Sequence, residues 1–340
     1  MDAEAQLPQA PGARRTQLLR LLADGRFHSG EALAGVLGVS RAAVWKQVHE
    51  VERHLGVAID AVPGRGYRLA EPLELLDRER IALLLGRATA ACLDELHLLE
   101  SVDSTNGYLL SRRLADSRRG VVCLAEQQTA GRGRRGRAWV SPFGTNLYLS
   151  LLWRFDMPPM GLSGLSLAAG VAVARGLASL GLGGVALKWP NDVQWGGRKL
   201  AGLLLELNGE ADGPTHAVIG VGLNLRMPDA AGRGIEQPWV DLAEAMGGQG
   251  PSRNLVAARL VDELVAAVLE FRDAGLAPFL ADWRALDALA GRPVRVSLGE
   301  RAIDGIELGV AASGALRVQT AEGEREFHAG EVSLRAQGAT

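Results

Sequence analysis

The spacing of apolar residues changes twice along the chain, and this divides it into three predicted domains. From residue 13 to 70, leucine and valine recur at helical spacing in short segments separated by glycine turns. From 80 to 288, short apolar runs alternate with longer helical patterns, which is typical of a mixed α/β domain. From 289 to 340, short apolar runs lie between glycine turns and predict a small SH3-like β-barrel.

The first segment has the order of elements found in a winged helix-turn-helix. A short amphipathic helix over Arg14–Ala23 precedes a helix that Ser29 would cap, and Gly38 makes the turn into a helix that Ser40 would cap. A tight hairpin over 63–68 carries two arginines, as a wing lying on a phosphate backbone would. Nine basic residues stand against five acidic ones in this segment. We interpret it as a DNA-binding domain, with a helical protein-interaction domain as the alternative.

The other two segments predict the following elements. Strands are expected at Leu96–Leu99, Val121–Ala125, Leu147–Trp153, Val185–Lys188, Leu200–Leu207, Ala217–Leu225, Val294–Leu298, Ile303–Leu308, Leu316–Thr320 and Val332–Leu334. Helices are expected at Ser104–Arg113, Ser163–Leu180 and Asn254–Gly275. The uncharged stretch Met157–Ala174 contains two prolines and three glycines, so we expect a buried helix there rather than a membrane span.

Composition narrows the class of protein. Hydrophobic residues make up 47% and charged residues 22%, which is ordinary for a globular protein. A net charge of −2 excludes a uniformly basic nucleic-acid coat but allows a local basic patch. Two cysteines, Cys92 and Cys123, cannot form a disulfide framework or a four-thiolate zinc site, so we expect reduced thiols in the cytoplasm. Residues 1–11 lack an apolar run, and no signal peptide is expected.

The strongest local signal is the run Gly131-Arg-Gly-Arg-Arg-Gly-Arg137. It matches the dinucleotide pattern G-x-G-x-x-G, but a Rossmann loop must open a helix and this run leads into a strand. It also lies between two apolar strands, unlike an RGG tract in a disordered tail. From Arg112 to Arg137, eight arginines stand against two acidic residues. The run therefore predicts a loop that binds a polyanion, and phosphate is the obvious ligand.

A second cluster combines two lysines with a carboxylate. Lys188-Trp-Pro-Asn-Asp192 is followed closely by Lys199, and the whole chain has only three lysines. The cluster is either a catalytic edge or a turn with a surface ion pair. The chain contains no Walker A loop, no H-E-x-x-H or C-x-x-C motif and no G-x-S-x-G elbow. These absences argue against a P-loop ATPase, a metal site built by protein side chains alone, and a serine hydrolase.

Six motifs, taken in order, resemble those of bacterial biotin–protein ligases. They are Ser104-Thr-Asn106, Gln127-Gln-Thr-Ala-Gly-Arg-Gly-Arg-Arg-Gly-Arg137, Ser141-Pro-Phe-Gly-Thr-Asn-Leu-Tyr-Leu-Ser150, Lys188-Trp-Pro-Asn-Asp192, Arg198-Lys-Leu-Ala-Gly202 and Gly220-Val-Gly-Leu-Asn224. The winged helix-turn-helix is similar to that of the bifunctional class, which also represses biotin operons. The resemblance covers nearly the whole chain after residue 13.

The resemblance implies a class II synthetase-like ligase domain and a reaction in two steps. Biotin and MgATP would give biotinyl-5′-AMP, and the biotinyl group would pass to a lysine of the biotin carboxyl carrier protein of acetyl-CoA carboxylase. Mg²⁺ would enter with ATP. Two alternatives stay open, which are a lipoate-type acyl–protein ligase and a biotin-sensing regulator without turnover.

The resemblance also implies roles for individual residues. The expected catalytic residues are Lys199, Arg132, Arg134 and Asp192. Biotin would be bound by Ser104, Thr105, Asn106, Gln128, Arg132, Gly133, Arg134 and Lys199, and the adenylate by Gly131, Arg137, Trp139, Asn224 and Trp239. An adenylate-bound homodimer would bind operator DNA through Arg41, Trp45, Lys46, Gln47 and Arg65.

Overall fold

The computed structural model describes residues 11–112, 120–298, 301–329 and 332–336. The chain forms two compact units: Met1–Leu76 with Pro142–Thr145, and Asp77–Ser141 with Asn146–Thr340. Residues 1–10, where no leader is expected, lie outside the described residues. Arg113, Arg118 and Arg119 of the arginine-rich segment lie outside them too.

The first unit combines helices with a short hairpin. Its described elements are α1 (Pro11–Leu22), α2 (Gly30–Leu37), α3 (Arg41–Leu55), β1 (Ile59–Val62) and β2 (Gly66–Leu69). Both predicted caps are present, since Ser29 Oγ accepts from the amide of Ala32 and Ser40 Oγ accepts from that of Ala43. Gly38 ends α2 in the left-handed conformation, at φ 64°. The order of helix, turn, helix and hairpin agrees with the prediction.

The core of this unit collects the apolar faces of its helices. Leu22, Val44 and Val51 have no exposed surface. Phe143 belongs to the segment Pro142–Thr145, packs in the same cluster and is 3% exposed. A segment distant in sequence thus completes this core.

A mixed sheet forms the centre of the second unit. In spatial order its described strands are β3 (Leu93–Leu99), β4 (Gly120–Ala125), β5 (Leu147–Phe155), β9 (Thr215–Leu223), β8 (Arg198–Gly209), β7 (Asp192–Trp195) and β6 (Val185–Lys188). β3 and β4 run parallel, and the other neighbours are antiparallel. β4, β5 and β9 are buried along almost their whole length, which accounts for their nearly continuous apolar sequences.

Long helices pack on this sheet and on each other, namely α7 (Leu165–Ser179) and α10 (Arg253–Ala274). Pro159–Ser179 is long and apolar enough to cross a membrane. However, 67% of its most apolar stretch is buried inside the fold. The stretch is a core helix here, as the sequence predicts. The shorter described helices are α4 (Arg78–Leu84), α5 (Arg87–Ala91), α6 (Thr105–Ser111), α8 (Asp229–Gly232), α9 (Leu242–Ala245) and α11 (Leu280–Leu286).

The C-terminal residues form a small antiparallel β domain. Its described strands, in chain order, are β10 (Pro293–Leu298), β11 (Arg301–Val310), β12 (Leu316–Thr320), β13 (Gly323–Phe327) and β14 (Val332–Ala336). Their spatial order is β13-β12-β11-β10-β14. Val294, Val296 and Val318 have no exposed surface, so a compact apolar core supports the predicted barrel-like domain.

An unusual carboxyl group lies in this β domain. Glu307, on β11, has no exposed surface, and neither of its carboxylate oxygens has a hydrogen-bond partner among the described residues. Burial and, to a smaller extent, the neighbouring Asp287 carboxylate raise the pKa of Glu307 to about 8, against the opposing effect of Lys188. Such a group is held in its neutral form at neutral pH.

Some elements differ from the sequence prediction. β7 and β13 were not predicted, because each contains a single buried residue, Val193 and Phe327, and is fixed by pairing with its neighbours. The predicted strand to Leu225 ends at Leu223, and the amide of Leu225 donates to Asn146 Oδ1 instead of to a neighbouring strand. The helix predicted to Arg113 ends at Ser111.

Candidate active site

The arginine- and glycine-rich run is an ordered loop closed by its own backbone. The amide of Gly133 donates to the carbonyl of Arg137 at 2.7 Å, and the amide of Trp139 donates to that of Gly131 at 2.8 Å. A short 3₁₀ turn covers Arg134–Gly136, and β5 is the next regular element. The loop therefore leads to a strand and does not open a helix, which agrees with the rejection of a Rossmann loop from the sequence.

Two arginine side chains of this loop have different partners. Arg132 Nη2 lies 3.7 Å from Glu206 Oε1. Arg134 donates to Asn191 Oδ1 at 3.4 Å through Nη1, and to the carbonyl of Ala329 through Nη2. Arg134 thereby links the loop to the C-terminal β domain, which the sequence did not indicate.

Lys199 and Asp192 form an ion pair across β7 and β8. Lys199 Nζ lies 2.8 Å from Asp192 Oδ1, and the side chains are only 15% and 20% exposed. Burial lowers the pKa of Arg134, and the same Asp192 carboxylate opposes that shift. The Lys199 ammonium also lies 5.3 Å from the centre of the Trp139 ring, within cation–π range. The pair is thus largely buried, unlike the surface ion pair that was the alternative.

The residues predicted for the biotin pocket form a connected polar group. Ser104 Oγ caps α6 by accepting from the amide of Gly107 at 3.3 Å. The amide of Thr105 donates to Gln128 Oε1 at 2.9 Å, and Gln128 Nε2 donates to Ser141 Oγ at 3.3 Å. The start of α6 and the segment that follows β4 are therefore tied together through the side chain of Gln128.

Asn106 continues this group towards β5 and β8. Its Oδ1 lies 2.6 Å from Ser150 Oγ, and its Nδ2 donates to Glu206 Oε2 at 2.8 Å and to the carbonyl of Leu204 at 3.2 Å. A Cβ at Gly220 would lie 2.3 Å from Asn106 Oδ1, so the strand needs glycine at that point. Asn106 is thus engaged on both sides by protein groups. Ser150 and Glu206 were not predicted as site residues.

The indole of Trp139 lies directly on the glycine backbone of two strands. A Cβ would lie 3.0 Å from this ring at Gly202 and 2.4 Å from it at Gly222. Trp139 Nε1 is buried and has no acceptor among the described residues. An unpaired buried N–H is costly, which suits it to donate to a ligand.

Trp239 reaches the same region from the segment between β9 and α9. Its ring packs on Gly232, where a Cβ would lie 2.3 Å away. The amide of Lys199 donates to Pro238, and the amide of Val240 donates to Lys199, both at 3.0 Å. This pairing fixes Trp239 beside the lysine.

A cavity opens between these segments. Apolar side chains that include Met227 and Ile235 line part of it. Four of the predicted site residues line the rest, namely Trp139, Lys199, Asn224 and Trp239. Aromatic and apolar walls with a single ammonium suit a flat, polar ligand.

Two buried residues that were not predicted hold the segment between β9 and α9 in place. Asn146 Oδ1 accepts from the amide of Leu225 at 2.9 Å. Asp241 accepts from the amide of Met227 at 2.9 Å and, with its other oxygen, from that of Glu244 at 2.8 Å. Their sequence context is typical of a turn and a helix cap, so no sequence signal distinguished them.

No group of three His, Cys, Asp or Glu residues close enough to hold a metal ion occurs in the part of the chain that the structure describes. The carboxylate at this site, Asp192, is already paired with Lys199.

The residues predicted to contact DNA lie on α3 and the hairpin of the first unit. Three are exposed along α3, namely Arg41, Trp45 and Lys46, and Gln47 is half-buried. Trp45 is 55% exposed, which is unusual for a tryptophan outside an interface. Arg65 is exposed in the hairpin, and its guanidinium carbon lies 4.1 Å from the centre of the Phe27 ring.

Comparison with known proteins covers all three predicted domains. Residues 14–68 match an HTH domain, residues 98–224 the biotin/lipoate A/B protein ligase family, and residues 290–335 the biotin protein ligase C terminal domain. The bifunctional ligase/repressor BirA of Salmonella typhimurium is 44% identical over 319 residues, covering 94% of this chain and 97% of that protein. The chain belongs to the BirA family of bifunctional ligase/repressors.

A second relative and a solved structure show the same similarity to biotin protein ligases. BirA of Escherichia coli is 43% identical over 320 residues, covering 94% of this chain and 97% of that protein. A biotin protein ligase from Aquifex aeolicus, solved in complex with biotin and ATP, has a TM-score of 0.61 and 29% identity, covering 72% of this chain and all of that one. The predicted fold class, with a helix-turn-helix, a mixed-sheet ligase domain and a C-terminal β domain, is confirmed.

Proposed function

We propose that this chain is an AMP-forming ligase that attaches biotin to a carrier protein through a biotinyl-5′-AMP intermediate. The observation that carries the proposal is the ion pair of Lys199 with Asp192 beside the glycine-rich loop, whose Arg134 donates to the neighbouring Asn191. Membership of the BirA family supports the reaction class.

In the first step, an oxygen of the biotin carboxylate bonds to the α-phosphorus of ATP, and the bond from that phosphorus to pyrophosphate breaks. Two anionic groups approach each other, so the site must supply positive charge where charge develops. Lys199 meets the carboxylate and the reacting phosphoryl group. Arg132 and Arg134, with the amides of Gly131 and Gly133, bind phosphate oxygens. Mg²⁺ bound to ATP would neutralise part of the phosphate charge.

The polar group at the start of α6 binds the ureido ring of biotin. Ser104 uses its oxygen as an acceptor for the helix cap, which leaves its proton to donate to the ureido carbonyl. Thr105 and Gln128 supply further donors and acceptors, while Asn106 acts from within the hydrogen-bonded group.

The nucleotide half of the intermediate binds in the cavity beside Lys199. Trp139 and Trp239 cover the adenine, Asn224 hydrogen-bonds the base, and Arg137 lies exposed at the end of the loop to reach the phosphate. An acyl phosphate anhydride is prone to hydrolysis, so an ordered loop over it excludes water.

In the second step, the carrier lysine amine attacks the acyl carbon, and the bond from that carbon to the AMP oxygen breaks. Asp192 accepts a hydrogen bond from the incoming neutral amine and orients it, and the proton that the nitrogen loses as the amide forms passes to solvent. The carrier is the biotin carboxyl carrier protein of acetyl-CoA carboxylase.

The winged helix-turn-helix gives the protein a second role. The adenylate-bound protein forms a homodimer that presents α3 of each subunit to one half-site of an operator. Arg41, Trp45, Lys46 and Gln47 contact DNA from α3, and Arg65 contacts phosphate from the hairpin. ATP, carrier and operator are all cytoplasmic, and this is where the protein acts.

The test of the ligase is carrier modification in a purified system. The protein is mixed with MgATP, biotin and a carrier domain, and the carrier mass and AMP release are measured. The proposal predicts one biotinyl group per carrier and one AMP, with no gain when the carrier lysine is replaced by arginine. Modification with lipoate in place of biotin would assign the chain to lipoate transfer, and no modification with either acid would leave a regulator without turnover.

A further inference from the structure

Glu206, on β8, links the arginine-rich loop to the polar residues at the start of α6. Its Oε1 lies 3.7 Å from Arg132 Nη2, and its Oε2 accepts from Asn106 Nδ2 at 2.8 Å. The side chain is 28% exposed. Pairing of β8 with β9 is made by the backbone and does not need this carboxylate.

The orientation of the Asn106 amide follows from its neighbours. The Leu204 carbonyl can only accept, so the Asn106 group that faces it, and with it the Glu206 carboxylate, must be the NH₂. Asn106 Oδ1 therefore faces Ser150 Oγ, and Ser150 must donate its only proton. Asn106 is 3% exposed and Ser150 has no exposed surface, so protein groups alone set this arrangement.

The same logic extends to Thr105 and Gln128. The Ser150 hydroxyl donates its proton to Asn106, so it cannot also donate to the hydroxyl of Thr105, which lies 2.7 Å away. Thr105 must instead donate, either to Ser150 or to Gln128 Oε1 at 3.2 Å. Gln128 Oε1 also accepts the amide of Thr105, which leaves its Nε2 as the outward donor. Hydrogen-bonded contacts thus run without a break from Glu206 to Gln128.

We propose that Glu206 is a positioning residue for recognition of the ureido ring, acting through the chain Asn106–Ser150–Thr105–Gln128. The inference rests on the proposed biotin ligase function. The charged acceptor at 2.8 Å holds Asn106 more firmly than the neutral Leu204 carbonyl at 3.2 Å. The contact with Arg132 is longer and that arginine is 50% exposed, so it contributes less.

A graded series of variants tests this role. Glu206→Gln keeps an acceptor without the charge, and Glu206→Met keeps the length without an acceptor. Glu210→Gln is the matched control, because Glu210 is exposed and lies just beyond the end of β8. Biotin affinity is measured by calorimetric titration, and kcat by biotin-dependent pyrophosphate exchange at saturating biotin.

Biotin affinity should fall from the wild type to Glu206→Gln and again to Glu206→Met. The Kd of Glu206→Met should rise about tenfold, as expected for the loss of one hydrogen bond to a charged group. The value of kcat at saturating biotin stays within about twofold, because Glu206 does not touch the reacting atoms. Wild-type affinity in Glu206→Met, or a loss in kcat with unchanged Kd, would overturn the proposal.

A double-mutant cycle with Ser150→Ala tests whether Glu206 acts through the chain. If it does, Glu206→Met with Ser150→Ala binds biotin no more weakly than the weaker single variant. If the double variant instead loses affinity by the product of the two single losses, Glu206 does not act through Ser150, and its contact with Arg132 would be the more important one. A wild-type protein without biotin-dependent exchange would contradict the ligase function itself, which is a separate result.

Discussion

The Lys199 ammonium faces the Asp192 carboxylate at 2.8 Å, and both side chains lie mostly out of solvent. The two residues are on neighbouring antiparallel strands, where Asp192 is paired with Gly202 and Lys199 with Gln194. The ion pair fixes the orientation of the lysine side chain in this structure. In the proposed mechanism this pair serves both steps, with Lys199 stabilising the anionic transition state and Asp192 receiving the carrier amine.

Lys199→Ala should remove adenylation while leaving biotin binding measurable. Loss of one preorganised donor to a developing anion costs about a hundredfold to a thousandfold in kcat. Biotin-dependent pyrophosphate exchange measures the first effect, and calorimetric titration with biotin measures the second. Arg198→Ala is the control, since Arg198 is the adjacent cation on the same strand and pairs with Glu244 instead. Near-normal exchange in Lys199→Ala would refute the catalytic assignment.

Arg134→Gly should let the adenylate escape. The variant loses the contacts to Asn191 and Ala329 that hold the loop, so the intermediate is less well covered. Free biotinyl-AMP in the filtrate, and biotin on lysines of a bystander protein, are the measured quantities. Arg135→Gly is the matched control, because Arg135 is exposed in the same loop at φ 59°, where glycine fits without strain. Equal retention of the adenylate by both variants would remove this role from Arg134.

Asp241→Asn should loosen the segment that carries Trp239. The carboxylate accepts the amides of Met227 and Glu244 with different oxygens, and an asparagine has only one oxygen to offer. We expect the free energy of unfolding to fall by about 1 kcal/mol or more and the KM for ATP to rise several-fold. Asp77→Asn is the control, since the one cap bond from Arg80 to Asp77 Oδ1 survives in asparagine. An ATP KM equal to that of the control would show that Asp241 does not position the nucleotide site.

Glu307→Gln should change how stability depends on pH. The carboxyl has a pKa of about 8 when folded against an ordinary 4.5, so between these values the unfolded chain has lost a proton that the folded chain keeps. Raising the pH through this window therefore destabilises the wild type, by at most about 1.4 kcal/mol per pH unit. Asp287 and Lys188 are the charged groups that act on it, and Asp287, whose own pKa is raised by burial, acts in the same direction.

Melting temperatures of wild type and Glu307→Gln, measured from pH 5 to 9, test this prediction. The melting temperature of Glu307→Gln should rise relative to that of the wild type as the pH increases to 8. Above pH 8 the difference between the two should stay constant. A difference in melting temperature that is the same at pH 5 and pH 8 would contradict it.

Local patterns in the sequence predicted most of the regular structure. The long buried helix α10 and the apolar strands β4, β5 and β9 follow from their periodicity, and the caps at Ser29 and Ser40 follow from residue type. The strand β7 was missed because its fixed position depends on pairing with β6 and β8 rather than on its own residues.

The site was predictable in parts. The motifs placed Lys199 beside Asp192, which are close in sequence and meet across a hairpin. The contact of Asn106 with Glu206 spans 100 residues and depends on the order of strands, which no local pattern specifies. The tie between Arg134 and Ala329 is longer still, at 195 residues. Partners of this kind become visible only when the chain is folded.

Exchange of labelled pyrophosphate into ATP, with magnesium and with biotin, lipoate or no acid, is the most direct test of biotin adenylation by this protein. Exchange is expected with biotin alone, because adenylation of the biotin carboxylate is reversible and needs no carrier. Exchange with lipoate, or no exchange with either acid, would contradict it.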